Sequence, residues 1–266
     1  MSLRLTPTFR AALAASDRPL AGMWVCTGST VATEIAAGSG LDWLLVDMEH
    51  SALSLESVLA QLQTAAAYPV TPVVRVPWND PVLIKQVLDI GAQNIIVPMV
   101  GSAEEARAAV AATRYPPAGI RGVGSALARS ARWNRVDGYL ADAAEHVSVT
   151  VQIETVAGVE AAAEIAAVEG VDAIFVGPAD LSASLGLLGQ QSHPDVVEAV
   201  HRVFAAAHAA GIPVGVNAFD PAVAEAYLDA GADFVAVGAD VALLARASEA
   251  LAARFVRPSP TPRGSY

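Results

Sequence analysis

Four stretches of this sequence share one pattern, which decides the fold: GSGLDWLLVD (38–47), IGAQNIIVP (90–98), EGVDAIFVG (169–177) and AGADFVAVG (230–238). In each stretch a glycine is followed two residues later by an acidic or amide residue, and an apolar run comes next. Glycine is the residue that the left-handed end of a helix favours. An apolar run rich in β-branched residues is typical of a buried parallel strand. The repeated pattern therefore predicts that helices and buried strands alternate along the chain.

Eight apolar runs of this kind occur. Stretches with helical periodicity lie between them, and Ser54, Asp80 and Ser102 are the predicted N-caps of three of these helices. Strands that alternate with helices form a parallel sheet, and eight of them favour a closed (β/α)8 barrel, the TIM barrel, over an open doubly wound sheet. The sequence has neither a G-x-G-x-x-G motif after a strand nor a P-loop, which also disfavours a dinucleotide-binding fold. The predicted strands are 21–26, 42–47, 72–76, 94–98, 148–153, 172–177, 213–217 and 233–238.

Length and composition fit one α/β domain. The chain has 266 residues, of which 54% are hydrophobic and 16% are charged, and α/β barrels commonly fill such a length as a single domain. We expect the barrel to span residues 1–256. It should begin with an amphipathic helix and not a signal peptide, because Arg10 and Asp17 interrupt the apolar residues there. The last ten residues, RPSPTPRGSY (257–266), have no periodicity and are predicted to form a mobile tail or an arm on a neighbouring subunit.

Charge and residue usage exclude several classes of protein. The formal net charge of −11 argues against a nucleic-acid-binding surface. No apolar stretch reaches about 18 uninterrupted residues, so no membrane span is predicted. The single cysteine, Cys26, excludes an intrachain disulfide, which suits a reducing cytosol, and we expect a cytoplasmic protein. Lys85 is the only lysine and falls in mid-helix, where it cannot enter the barrel mouth as a Schiff-base aldolase requires.

Two acidic residues follow two of the predicted strands. Glu154 ends VTVQIE (149–154) and Asp180 ends AIFVGPAD (173–180). A carboxylate just past a parallel strand lies at the carboxyl edge of the sheet, where α/β enzymes keep their chemistry. Two such carboxylates suit Mg²⁺ or Mn²⁺ and leave coordination positions open for a chelating substrate. The alternative is that either acid only caps the next helix or forms a structural ion pair.

A histidine follows a third strand, in DWLLVDMEH (42–50). Because side chains alternate along a strand, Asp47 and Glu49 share one face, and His50 points the same way as Met48. A neutral imidazole beside a metal-bound substrate suits a general base, since its pKa lies near working pH. The alternative is a hydrogen-bonded histidine at the rim of the barrel.

Two further charged residues are candidates. Arg75 interrupts the apolar run PVVRVP (72–77), and a charge so deep in a strand is costly unless it is paired. Its guanidinium could stabilise an enolate oxygen or form a salt bridge to an acid of a neighbouring strand. Asp89 lies in a helix of otherwise apolar face. It could reach a strand-end histidine and raise its basicity, whereas a solvated acid near the helix end is the simpler interpretation.

A basic segment lies in one of two long connections. Residues 114–135 hold five of the sixteen basic residues, all of them arginines, within the connection 99–147; a second long connection is 178–212. Long connections after barrel strands usually shape the pocket. The arginines could bind an anionic group of a substrate or contact another subunit, and both interpretations stay open.

Seven contiguous segments identify a family. They are DWLLVDMEH, PVVRV, LIKQVLDIGAQNIIVPMV, TRYPPAGIRGVG, VQIET, GPADLSASLG and FVAVGAD. Through them the chain resembles, from about residue 20 to 255, the metal-dependent (class II) pyruvate aldolases of the 4-hydroxy-2-oxoheptane-1,7-dioate aldolase and citrate lyase beta-like family. The match is specific because several of the segments are long.

The resemblance implies a reaction and an assembly. The reaction is the reversible, metal-dependent aldol cleavage of 4-hydroxy-2-oxo acids through an enolate, as used in the degradation of aromatic compounds. Its products are an aldehyde and pyruvate, or a related 2-oxo acid such as hydroxypyruvate. The implied cofactor is Mg²⁺, Mn²⁺ or Co²⁺. The implied assembly is a homohexamer, a dimer of trimers, in which a C-terminal helix is exchanged between subunits.

The resemblance also implies a catalytic role for each strand-end residue. Glu154 and Asp180 would hold the metal. His50 would act as the general base, often through a water molecule, and Asp89 would tune it. Arg75 would stabilise the enolate.

Substrate contacts are implied in the same way. Asp47 would contact the catalytic residues and not the substrate. Gln152 and the backbone at Ala179 would position the carboxylate of the donor, and the segments 24–30 and 216–220 would line the acceptor side. The implied substrate-binding residues are Trp24, Gln152, Gly177, Pro178, Ala179 and Asp180.

Two other functions stay open. One keeps the metal and the enolate but acts on a β-hydroxyacyl thioester, as a lyase of the malyl-CoA type does. The other is a barrel that binds 2-oxo acids without turnover. The first needs a groove for a long nucleotide tail, for which the chain has little room, and the second has no need of a strand-end base.

Overall fold

The computed structural model describes residues 3–256, so the predicted tail (257–266) lies outside the described residues. Its eight strands are all parallel and form one closed barrel in chain order, with the first strand paired to the last. This confirms the (β/α)8 TIM barrel, and each observed strand boundary lies within one residue of the predicted one. The strands are β1 Leu20–Val25, β2 Trp43–Asp47, β3 Thr71–Arg75, β4 Asn94–Val97, β5 Ser148–Ile153, β6 Ala173–Val176, β7 Val214–Asn217 and β8 Phe234–Ala239.

Helices surround the barrel, and one precedes it. Two short 3-10 helices, Arg129–Ala131 and Ala143–His146, lie in the connection between β4 and β5. Within residues 3–256, no helix is both long and apolar enough to cross a membrane. The α-helices are α1 Phe9–Ala15, α2 Thr30–Ala37, α3 Leu55–Ala65, α4 Pro81–Asp89, α5 Ala103–Thr113, α6 Tyr139–Asp142, α7 Val156–Glu160, α8 Ala162–Ala166, α9 Pro178–Ser184, α10 Pro194–Ala209, α11 Pro221–Asp229 and α12 Asp240–Phe255.

Local sequence determines where these helices begin and end. The side chains of Ser54, Asp80 and Ser102 accept hydrogen bonds from backbone N–H groups in the first turns of α3, α4 and α5, as predicted. Asp80 precedes Pro81, whose fixed φ suits the first helical position. At the other end, the glycine of each repeated pattern has a φ between +92° and +102°, which side chains disfavour. These glycines are Gly40, Gly91, Gly170 and Gly231.

The first helix closes the amino-terminal end of the barrel. Phe9 is fully buried, and its ring centroid lies 5.4 Å from that of Trp43 and 5.2 Å from that of Phe234. The backbone N–H of Phe9 donates to Oδ1 of Asn94 at 2.6 Å. Gly22 leaves room for this packing, because a Cβ there would lie 2.4 Å from the Trp43 ring. The lower half of the barrel interior, which is the half toward the amino-terminal ends of the strands, is therefore filled with aromatic side chains.

The second apolar layer lies between the strands and the helices. Outward-facing residues of the strands, such as Val74, Ile95 and Val151, pack with buried residues of the helices, such as Ile84 and Val203. Because side chains alternate along each strand, the residues between these outward ones point into the barrel. At the carboxyl ends of the strands, those inward positions are polar.

Candidate active site

A cavity of about 500 Å³ opens at the carboxyl ends of the strands, which is the end where TIM barrels place their catalytic residues. Its wall includes ten of the eleven site residues predicted from the sequence. These ten are Trp24, Asp47, His50, Arg75, Gln152, Glu154, Gly177, Pro178, Ala179 and Asp180.

Arg75 is held by carboxylates of β2 and of the residues just after it. Asp47 lies opposite Arg75 in the strand pairing, and Nε and Nη2 of Arg75 each donate to a carboxylate oxygen of Asp47 at 2.9 Å. Nη1 lies 2.8 Å from Oε2 of Glu49, and the guanidinium carbon lies 4.2 Å from the ring centroid of Trp24. The salt bridge to a neighbouring strand's acid is thus present, and the same guanidinium lines the cavity. These contacts fix a positive charge in place, as stabilisation of developing negative charge requires.

Glu154 is a buried carboxylate just past β5, with only 1% of the residue exposed. Its Oε1 accepts a hydrogen bond from the Met99 backbone N–H at 2.8 Å, and its Oε2 accepts one from Nε2 of Gln152 at 2.5 Å. Burial is the main reason that the pKa of Glu154 is raised to about 7, and the charges of Glu49 and Asp180 raise it further. A carboxylate whose ionised form is disfavoured in this way is stabilised by a nearby cation.

Gln152 orients this carboxylate. Its Nε2 is committed to Glu154, and its Oε1 is buried without a hydrogen-bond partner within the described part of the chain. The Nε2 group carries a second N–H, which can donate to the carboxylate of a 2-oxo acid. The buried Oε1 suits a hydrogen-bond donor, such as a water molecule bound to a cation. Gly177 keeps this region open, because a Cβ there would lie 2.6 Å from Oε2 of Glu154.

The chain after β6 turns directly into α9. Gly177 is the N-cap residue, without a side-chain cap, and Asp180 is the third residue of the helix. The alternative that Asp180 caps this helix is therefore wrong. Among residues 3–256, the backbone N–H groups of Ala179 and Asp180 have no backbone or side-chain acceptor. First-turn N–H groups of a helix are partners for an anionic group.

Glu154 and Asp180, the two candidate metal ligands of the sequence, both line the cavity. No group of three or more His, Cys, Asp and Glu side chains suited to a metal occurs in the part of the chain that the structure describes. Two carboxylates beside an open cavity fit a hard cation of the Mg²⁺ type, which keeps several water or substrate oxygens. They do not fit a closed structural zinc site, which takes four ligands from the protein.

His50 lies at the rim of the cavity. Its side chain is 64% exposed, and its Nε2 lies 3.9 Å from Oε2 of Glu49. The imidazole is thus open to solvent and to a substrate that enters the cavity. His50 therefore lies at the rim of the barrel, as one interpretation of the sequence held, and it also lines the cavity, as a general base would.

Asp89 is the predicted residue that a single chain does not bring to the site. α4 begins near the carboxyl end of β3 and returns to the opposite end of the barrel, and Asp89 is its last residue. There its Oδ1 lies 3.1 Å from Nη2 of Arg121, whose side chain is fully buried and lies over the Tyr115 ring. Part of the basic segment therefore has a structural role, and within one chain Asp89 does not contact His50.

Three further cavity residues belong to the segments 24–30 and 216–220, which the resemblance placed on the acceptor side without a role for single residues. Cys26, Asn217 and Phe219 line the wall on the side of β7 and β1. Nε1 of Trp24 donates to Oδ1 of Asn217 at 2.7 Å. Asp240 accepts hydrogen bonds from the backbone N–H of Cys26 and joins the start of α12 to the loop after β1. Asn217 ends an apolar run just as Glu154 does, so the same strand-end rule could have identified it.

Comparison with known proteins finds the same architecture and similar sequences. The model of the HpcH/HpaI aldolase/citrate lyase family matches residues 20–247. A 4-hydroxy-2-oxo-heptane-1,7-dioate aldolase of Salmonella dublin is 53% identical over 247 residues, which cover 93% of this chain and 94% of that protein. The aldolase of the same name from Shigella sonnei is 53% identical over 248 residues, with the same two coverages. A solved structure of an HpcH/HpaI aldolase/citrate lyase family protein from Burkholderia cenocepacia is 42% identical and has a TM-score of 0.90, covering 95% of this chain and 100% of that one.

Proposed function

Because the chain belongs to the HpcH/HpaI aldolase/citrate lyase family and is an aldolase, we propose that it cleaves 4-hydroxy-2-oxo acids reversibly. The products are an aldehyde and pyruvate or a related 2-oxo acid. The observation that carries this proposal is the common cavity of the Glu154 and Asp180 carboxylates and the Arg75 guanidinium. A cation site that faces a fixed positive charge is complementary to a 2-oxo acid, which presents a carboxylate and a carbonyl oxygen.

The proposed cofactor is Mg²⁺, Mn²⁺ or Co²⁺, held by Glu154 and Asp180. The raised pKa of Glu154 and the orphaned Oε1 of Gln152 support a cation at this place. When bound, such a metal supplies a Lewis acid that polarises the 2-oxo group and acidifies the C3 protons. Gln152 holds the Glu154 carboxylate in its orientation through Nε2.

The remaining residues are proposed to bind the donor and stabilise its enolate. The backbone N–H groups of Ala179 and Asp180, in the first turn of α9, donate to the donor's carboxylate. Arg75 donates toward O2 and stabilises the negative charge that develops there. Because Asp47 and Glu49 already hold the guanidinium, no reorganisation is needed as the charge appears.

His50 is proposed to move the proton. In the synthetic direction the imidazole, directly or through a water molecule, removes a C3 proton from the donor, and the enolate attacks the aldehyde. In the cleavage direction it removes the proton of the C4 hydroxyl, and the bond between C3 and C4 breaks. Its exposure at the rim supports the use of water.

The first experiment is exchange of the methyl protons of pyruvate in D₂O, followed by NMR, with Mn²⁺ or Mg²⁺ and then with EDTA. Exchange needs no aldehyde, so the identity of the acceptor does not matter. We expect exchange with metal and its loss with EDTA. If pyruvate binds but its protons do not exchange with Mn²⁺, with Mg²⁺ or, in a further run, with Co²⁺, the aldolase proposal is wrong, and a thioester lyase or a binding protein takes its place.

We further propose assembly as a homohexamer, a dimer of trimers, in which α12 packs on another copy. No residue of α12 is buried, although apolar side chains repeat along it, and exposed apolar patches of this kind are typical of contact surfaces. Assembly would also give Asp89 a route to His50, from a second copy. Light scattering should give about six times the monomer mass of 27.3 kDa, whereas a monomer would contradict the proposal. The exposed apolar residues of α12 are Val241, Leu243, Leu244, Leu251 and Phe255.

A cytoplasmic location is the last part of the proposal. It is supported by the single free cysteine, Cys26, and by a reaction that consumes small metabolites. Recovery of the protein from the membrane or extracellular fraction of its cell would contradict it.

A further inference from the structure

Glu49 lies between the histidine and the arginine of the site, and we infer that it is the positioning residue that orients His50 and stabilises the imidazolium formed when His50 takes a proton. Its Oε2 lies 2.8 Å from Nη1 of Arg75 and 3.9 Å from Nε2 of His50. The inference rests on the proposed function, in which His50 is the base, and adds to it a carboxylate supplied by the same chain.

The turn after β2 determines where Glu49 lies. The backbone N–H of Glu49 donates to Oδ1 of Asp47 at 3.0 Å, and the N–H of Met48 donates to the carbonyl oxygen of Arg75 at 3.0 Å. An aspartate that accepts from the N–H two residues later forms an Asx turn. Strand alternation alone would send Glu49 and His50 to opposite faces. The turn ends this alternation, so both side chains reach the same site.

The Oε2 oxygen of Glu49 can accept a further hydrogen bond. It is buried and, among residues 3–256, accepts no hydrogen bond of regular geometry, so its contact with Nη1 is an ion pair without an aligned N–H. Arg75 does not depend on this contact for its orientation, because Nε and Nη2 each donate to Asp47 at 2.9 Å. A buried carboxylate oxygen without an aligned donor suits a charged N–H group.

His50 has this one carboxylate beside it. Within the described part of the chain, the imidazole makes a salt-bridge contact with Glu49 alone, whereas Asp89 pairs with Arg121 at the other end of the barrel. An imidazole that donates from one ring nitrogen can accept a proton at the other. Nδ1 of His50 then takes the proton from the substrate or from a water molecule, and the N–H at Nε2 donates to Oε2 of Glu49.

Proton transfer to His50 creates a positive charge close to one that is already present. The guanidinium of Arg75 would repel the new imidazolium, and a carboxylate between the two offsets this repulsion. Glu49 occupies that place, because the same oxygen faces both groups. Other charged groups also act on Glu49, but among residues 3–256 none of them makes a salt-bridge contact with the imidazole. They are Asp47, Arg75, Asp180 and Glu154.

Chemical modification tests the pairing without any substrate. Diethyl pyrocarbonate carbethoxylates only an unprotonated imidazole, and His50 is exposed to the reagent. The rate at His50 is measured by peptide mass spectrometry on the full-length, Mg²⁺-loaded protein from about pH 5 to about pH 8. In Glu49→Gln we expect the midpoint of this rate profile to move to lower pH by about half to one pH unit, because the lost negative charge no longer favours the imidazolium. The other four histidines are internal controls and should keep their midpoints.

Kinetics tests whether the pairing serves the reaction. In the exchange of pyruvate protons, Glu49→Gln should lower kcat by about tenfold and leave KM near the wild-type value, because glutamine keeps the shape and Asp47 still holds Arg75. Glu49→Asp keeps the charge and should restore part of kcat and of the midpoint. Glu198→Gln, at an exposed position of α10, is the matched control and should change neither.

The two readouts separate the possible outcomes. An unchanged midpoint in Glu49→Gln overturns the inference even if kcat falls, because Glu49 then only supports Arg75. A lower midpoint with an unchanged kcat also overturns it, since the carboxylate then does not serve proton transfer. If Glu49→Gln does not fold, Glu49→Asp decides, with a smaller change in the same direction. If the wild type exchanges no protons with any metal, the proposed function fails, and the modification rates decide the pairing of Glu49 with His50 separately.

Discussion

The two halves of the barrel interior are both buried, but they are filled by opposite chemistry. Toward the amino-terminal end, the rings of Phe9, Trp43, Phe175 and Phe234 pack with centroids between 5.2 and 6.3 Å apart. Toward the carboxyl end, the barrel strands and the residues just after them present carboxylates, a guanidinium and amides. The lower half is a dry core, and the upper half is a charged site with an opening to solvent.

The difference arises within single strands. On β2, inward positions pass from Trp43 through Leu45 to Asp47, which is four residues away and carries a charge. On β6 they pass from the ring of Phe175 to Gly177, whose missing side chain opens the cavity. Side chains that stabilise the fold therefore lie toward the amino-terminal end of the barrel, and side chains that can bind and react lie toward its carboxyl end. Substitutions in the two halves should therefore have different effects, on activity in one and on stability in the other.

The largest expected effect comes from the metal ligand. Glu154→Ala should abolish measurable Mn²⁺ binding and reduce metal-dependent exchange to the background rate, because one of two protein ligands is lost. Calorimetry measures the first effect and NMR the second. Glu164→Ala, which removes an exposed glutamate of α8, is the matched control and should change neither. Unchanged Mn²⁺ affinity in Glu154→Ala would count against the ligand assignment.

The next effect concerns the base at the rim. His50→Ala should reduce turnover by about a hundred- to ten-thousandfold, because a positioned general base contributes that much. Mn²⁺ affinity should stay near the wild-type value, since His50 is not a ligand. His201→Ala, at an exposed position of α10, serves as control. A rate within a few-fold of the wild type would show that another group takes the proton.

Much of this contrast was readable from the sequence because its causes are local. A glycine that needs a positive φ, followed by an apolar run, predicts a strand, and this pattern located β2, β4, β6 and β8 to within one residue. Strand ends in a parallel barrel converge, so Glu154, Asp180 and Arg75 could be expected to share a site.

The contacts that the sequence could not give join distant parts of the chain. The bond between Trp24 and Asn217 spans 193 residues, and the pairing of Arg75 with Asp47 depends on strand register. Asp89 shows the opposite case. Its helix contains nine residues, enough to carry it to the other end of the barrel, where its Oδ1 lies 3.1 Å from Nη2 of Arg121.

A smaller effect is expected in the aromatic half. Gly22→Ala should reduce stability by about 1 to 3 kcal/mol, because its Cβ would overlap the Trp43 ring, which is buried and cannot move away. Thermal unfolding in the presence of Mn²⁺ measures this loss. Gly238→Ala is the matched control, since a Cβ on that glycine of β8 meets nothing within 4 Å. If both variants unfold like the wild type, the lower half is less tightly packed than its geometry indicates.

The smallest effect is a dependence of stability on pH that originates in the charged half. The folded protein raises the pKa of Glu154 from its ordinary value of 4.5 to about 7. Between these two pH values the unfolded chain is ionised while the folded chain keeps its proton, so the contribution of Glu154 to stability falls as pH rises through this window. Metal-stripped wild type should therefore lose on the order of 1 kcal/mol more than Glu154→Gln between pH 5 and pH 8, or about 2 to 4 °C in Tm.

The measurement is a pair of melting curves in EDTA at each pH, and the quantity of interest is the difference between the wild type and Glu154→Gln. That comparison cancels the titration of every other group, which the two proteins share. Adding Mn²⁺ at pH 8 should raise the Tm of the wild type, because the cation stabilises the ionised carboxylate, and should not raise that of the glutamine variant. A difference that does not change with pH would mean that Glu154 ionises alike in the folded and the unfolded chain, so that other groups of the site already offset its burial and the carboxylate needs no cation to keep its charge.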